Sequence, residues 1–334
     1  MVDHRRLSGT AASMTWRTLF AKLARPWPFG PRRFEPIGPP KVDAAAIVRK
    51  ARRLRFRVRR GAVADLAGAY VGSRAGSGLA FVELRPYEPG DDVRHLDWNV
   101  TARQGKPYVR KFAEERALTV WLIVDISASL RFGPDGRTKA DRAVQSAALL
   151  ATAAIQAGDR AGLALVSDRV EAELAPAGGA RHLARLVRAL VATPSRSRRT
   201  ALAAGLRGLA RLRRRALIVV LSDFLDVEPP AAWKPVARRH DIVAVRLIEP
   251  RELSLPASGL VDLVDAELGT RATVDLGSRR VRAAYSRAAE GRARDFRRWC
   301  AASGISGLDV STDDDPISPL IRFFAGRARR RGGP

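Results

Sequence analysis

Two short apolar runs, LTVWLIV at residues 118–124 and ALIVVLS at 216–222, each lead straight into an aspartate, Asp125 and Asp223. Seven residues are too few to span a bilayer, which takes about 20. Apart from Thr119 and Ser222 the runs are also too uniformly apolar for a strand with one wet face. They fit strands buried on both faces of a parallel sheet. A chain with such strands must cover them with helices on either side.

The rest of the pattern supplies those helices. Residues 138–157 read as an Ala- and Leu-rich helix, 180–192 and 201–213 as two more, 231–240 as another, and 279–303 as a long basic one. Between them, 161–167, 242–248 and 305–312 read as strands, and 170–176 as a strand pairing with 161–167 across the turn at Asp168-Arg169. Alternating strands and helices predict an α/β, Rossmann-like, mostly parallel sheet covered on both faces. It is expected over 118–325, followed by a basic tail at 326–334.

The upstream part is less regular. Residues 1–45 are rich in Pro, Gly and Arg and are expected to be poorly ordered, except for a short amphipathic helix. There Trp16, Leu19, Phe20 and Leu23 share one helical face before Pro26, which suits packing on a protein or a peripheral contact with anionic lipid. Residues 46–117 read as short strands and loops forming a small α+β segment packed on the main domain. The Gly-rich GSRAGSG at 72–78 lacks the Lys-Ser/Thr pair of a phosphate loop, so ATP hydrolysis by this chain is not expected.

The net charge of +26 invites a nucleic-acid or lipid-surface reading. Yet 53 of the 60 basic residues are arginine, which reads more simply as coding bias in a GC-rich genome. The single cysteine, Cys300, leaves no disulfide and no thiolate cluster. No secretory signal and no membrane span are visible, so the chain reads as cytoplasmic, with residues 14–25 as a possible inner-membrane contact.

The chemistry gathers at the strand ends. In an open parallel sheet, ligands bind beyond the carboxyl ends of the strands, where strand order reverses. Asp125, Ser127 and Ser129 follow the first apolar strand, Thr200 precedes a helix, and Asp223 follows the second apolar strand. All five are hard oxygen donors, the set that suits Mg²⁺ or Mn²⁺. The plainer alternative is that the Ser, Thr and Asp side chains simply cap helices.

Their order resembles the metal-ion-dependent adhesion site of von Willebrand factor A domains, with Asp-x-Ser-x-Ser at 125–129, the Thr at 200 and the Asp at 223. ELRPYEPGDDVRHLDWNVTAR at 83–103, GDRAGLALVSDRV at 158–170, LSDFLD at 221–226 and LPASGLVDLVDAELG at 255–269 narrow the likeness to the DUF58 family over about 50–325. The departures are Leu130, where the family often has Met, and the lack of the N-terminal transmembrane helices of many members. The resemblance implies a non-catalytic, metal-dependent interaction module. Its partners would be a MoxR-type AAA+ ATPase and a client whose acidic residue completes the metal shell. A metal-dependent hydrolase and a charge-driven nucleic-acid or lipid binder are the alternatives. Arg85, Asp91, Asp92, Arg94, Asp97, Trp98 and Arg103 form either a second patch or a set of pairs locking this segment in place.

Overall fold

The computed structural model describes residues 65–70, 81–88, 96–112, 117–134, 137–212 and 214–331. The amphipathic stretch at 14–25, the Gly-rich segment, and Asp91, Asp92 and Arg94 lie outside them.

Six strands form the main sheet: β3 (Thr119–Asp125), β4 (Arg160–Val166), β5 (Val170–Ala177), β6 (Leu217–Ser222), β7 (Asp241–Ile248) and β10 (Ser306–Ser311). Their spatial order is β10-β7-β6-β3-β4-β5, all parallel except β5, which returns antiparallel along β4 at one edge. Counted along the chain this is the doubly wound order 3-2-1-4-5-6, so order reverses between β3 and β6. The two apolar runs are therefore the central pair, which is why both are buried along their length.

Successive side chains of a strand point to opposite faces. Val120, Leu122 and Val124 enter one core with α2 (Lys139–Gln156), α3 (Ala180–Ala192) and α7 (Ile317–Arg331). Trp121 and Ile123 enter the other, with α4 (Ala203–Arg207), α5 (Pro230–Arg239) and α6 (Arg279–Ser303). Helix α2 starts from a capping box in which Thr138 and Asp141 bond each other's backbone N–H.

Two expectations shift. The helix expected over 201–213 is only the five residues of α4 followed by a 3-10 turn at Leu209–Arg211. Gly205 and Gly208 weaken it, and α4 lies so close to the sheet that a Cβ on Gly205 would come within 2.9 Å of Val166 and 3.0 Å of Ile123. Residues 326–331, set apart above as a basic tail, continue α7, whose Leu320 and Phe324 are fully buried.

Upstream, β1 (Phe81–Pro86) and β2 (Tyr108–Phe112) pair antiparallel around α1 (Trp98–Gln104). Residues 65–70 are helical. There the Tyr70 hydroxyl donates to Asp159 Oδ2 (2.6 Å) and its ring meets Phe324 edge-on, tying this segment to the main domain. Between β7 and α6 a separate hairpin, β8 (Leu260–Val264) and β9 (Arg271–Asp275), packs on a small cluster of its own.

Candidate metal centre at the switch point

Strand β3 ends in Asp125 and its parallel neighbour β6 in Ser222, with Asp223 the next residue, so the two carboxylates emerge close together where strand order reverses. Asp125 is 1% exposed. Its Oδ1 accepts the Ser127 N–H (2.8 Å) and its Oδ2 the Ser222 hydroxyl (2.6 Å). The chain then turns through a 3-10 helix at Ala128–Arg131. Ser127 stands at the cap of that turn, yet its hydroxyl makes no capping bond; it lies 3.2 Å from the Ser129 hydroxyl. The capping alternative therefore does not account for Ser127.

Nor does it account for Thr200. The cap position of α4 is Leu202, and the Thr200 hydroxyl donates instead to Glu267 Oε1 (3.0 Å) in the β8–β9 turn. The Thr200 loop touches the Ser127–Ser129 turn through the Ala128 N–H, which donates to the Arg198 carbonyl (3.3 Å).

Asp223 has an unforeseen partner. Lys139, the first residue of α2, is fully buried, and its Nζ donates to Asp223 Oδ2 (2.7 Å) and Glu252 Oε1 (2.6 Å). A lysine at a helix N-terminus opposes the helix dipole, and its burial is costly without paired carboxylates. Burial works against the Lys139 charge, but Asp223 and Glu252 outweigh it and its pKa lies above the ordinary value. Burial raises Glu252, with Lys139 pulling it back. Burial and then the negative charge of Asp223 push Asp125 up to about 7. Lys139 faces Asp223 and Glu252, while Asp125 feels the Asp223 charge, so with all four ionised the groups sum to two negative charges.

Phe224 next to Asp223 holds a left-handed backbone (φ 50°), rare for a bulky residue. Its ring packs against Phe296 and Trp299 with centroids 5.1 and 5.6 Å away, which fixes the turn that aims Asp223.

The donor chemistry fits a hard divalent cation. The Ser127–Ser129 and Thr200–Glu267 pairs, hydrogen-bonded at 3.2 and 3.0 Å, each set two hard oxygens side by side. Among the described residues no group of three His, Cys, Asp or Glu side chains converges as a metal cluster. Any ion here would depend on the hydroxyls.

The upstream block divides. Asp97 caps α1 by accepting from Asn99 and Val100 N–H, and Arg85 pairs with Glu88 (3.1 Å). Trp98 is 71% exposed. Sequence reasoning missed Ser222, Lys139, Glu252 and Glu267. Only Lys139 carried a local sign, a charge of the wrong sign opening an Ala-rich helix.

The sequence profile of the family described as "Protein of unknown function DUF58" matches residues 83–295. The chain belongs to the DUF58 family. It is 34% identical over 303 residues to the uncharacterized protein Rv1480 of Mycobacterium tuberculosis, covering 89% of this chain and 92% of that one. The uncharacterized protein Mb1516 of Mycobacterium bovis matches to the same extent. Among solved structures, an aerotolerance-related membrane protein from Bacteroides fragilis aligns over 64% of this DUF58 chain and all of its own, at 15% identity and a TM-score of 0.41. BatB from Bacteroides thetaiotaomicron aligns over the same shares at 13% and 0.40. The SpRpn10 VWA domain aligns over 62% of this chain and 95% of its own, at 11% and 0.33. No helix among the described residues is long and apolar enough to cross a membrane.

Proposed function

We propose that this DUF58 protein is a non-catalytic, metal-dependent protein-interaction module. In this reading Asp125, Ser127, Ser129, Thr200 and Asp223 hold one Mg²⁺ or Mn²⁺, directly or through water, and an acidic residue of a client completes the shell. The observation that carries it is the meeting of two buried carboxylates with an uncapped hydroxyl pair at the switch point. A cation bound largely by neutral hydroxyls stays electrophilic and attracts a further carboxylate. Asp223, engaged by Lys139, is poorly placed to serve as a hydrolytic base.

The partner assigned from the family resemblance is a MoxR-type AAA+ ATPase, for which this chain would act as an adaptor in chaperone-like maturation. The same reading puts the protein in the cytoplasm, with residues 14–25 suited either to packing on a protein or to peripheral contact with the inner membrane. A pull-down with purified MoxR-type ATPase and cell extract tests it. Capture of ATPase and client should require Mg²⁺, be lost in EDTA and be lost in Ser127→Ala/Ser129→Ala. Capture that ignores both EDTA and the double substitution contradicts it.

A further inference from the structure

The segment joining β7 to α6 delivers two carboxylates to the switch point. Glu252, near its start, reaches Lys139, and Glu267, at the tip of the β8–β9 hairpin, reaches Thr200. The tip is firmly built. Asp265 Oδ1 accepts the N–H groups of Glu267 and Leu268 (both 2.8 Å), and Gly269 takes the left-handed conformation (φ 72°) that closes the turn. It is also docked, because Arg198 Nε donates to the Ala266 carbonyl (2.9 Å) from the same loop that carries Thr200. Since Arg198 also accepts the Ala128 N–H at its carbonyl, one loop joins the hairpin tip to the Ser127–Ser129 turn.

We propose that Glu267 is an internal ligand of the metal centre, a tethered carboxylate that takes the role the interaction reading gives to the client's acidic residue. This rests on that reading. The bond from the Thr200 hydroxyl (3.0 Å) holds a Glu267 carboxylate oxygen beside a residue that this reading makes a ligand. With its proton donated to Glu267, the Thr200 hydroxyl would keep its lone pairs for a cation. The hairpin is then a self-docked cap, and a client carboxylate binds by displacing it.

The test is Mn²⁺ titration by calorimetry on the full chain, comparing wild type, Glu267→Gln and Ser127→Ala/Ser129→Ala, with amide exchange of residues 260–275 followed with and without Mn²⁺. Gln keeps the shape and the bond to Thr200 but not the charge. Wild type should bind Mn²⁺ and slow exchange across the hairpin. Glu267→Gln should bind at least tenfold more weakly and lose the Mn²⁺-induced protection. Equal affinity in Glu267→Gln, with hairpin exchange indifferent to Mn²⁺ in wild type, overturns the tethered-ligand proposal and leaves the metal site standing. No Mn²⁺ binding by wild type overturns both.

Discussion

At the scale of single residues, the site joins what is local in sequence to what is not. Asp125, Ser127 and Ser129 were legible because three donors at every second position leave a strand together. Lys139, Glu252 and Glu267 were not, because their contacts span 84, 113 and 67 residues and depend on the finished topology. Lys139→Met should cost about 3–5 kcal/mol, since it leaves buried Asp223 and partly buried Glu252 without their cation. Urea unfolding measures this, and added Mg²⁺ should restore part of the loss. Asp125 gives a pH signature. Its folded pKa of about 7 exceeds its ordinary 3.8, so the folded state holds the proton more tightly than the unfolded chain. Its stabilisation is full below pH 3.8 and is lost as pH rises through about 7. In EDTA, the stability of metal-free wild type relative to Asp125→Asn should therefore fall across that window. A flat difference would show that Asp125 is not perturbed.

At the scale of elements, the periodic segments were the legible ones. The bounds of α3 and α6 match the sequence reading, and β3 and β6 lie within a residue of theirs. Helix α4 was over-read because its apolar face suggested length while its glycines serve contact with the sheet. Gly205→Ala should cost about 1–3 kcal/mol by overpacking against Val166 and Ile123, read as a lowered melting temperature. The hairpin was invisible as structure because β8 and β9 are short and one face is exposed. The link between the 65–70 helix and the main domain combines core packing of Leu66 and Tyr70 with the bond of Tyr70 to buried Asp159. Tyr70→Phe should lose about 1–3 kcal/mol by leaving that carboxylate short of a donor, and proteolysis should then sever the N-terminal segment more readily.

At the scale of the whole molecule, strand order gives the aspartates their meaning. In the order 3-2-1-4-5-6, β3 and β6 flank the one gap where the connections diverge to opposite faces, and both aspartates open into it. The net charge of +26 has no such focus in sequence. A charge-driven binder would lose affinity steeply with salt and ignore EDTA, while a metal-dependent one does the opposite. The most direct measurement is calorimetric titration of Mg²⁺ into wild type and into Ser127→Ala/Ser129→Ala, with circular dichroism to show that both are folded. One saturable site in wild type, absent from the folded double variant, is the predicted result. No saturable binding in wild type, or equal binding in both, would contradict the metal centre.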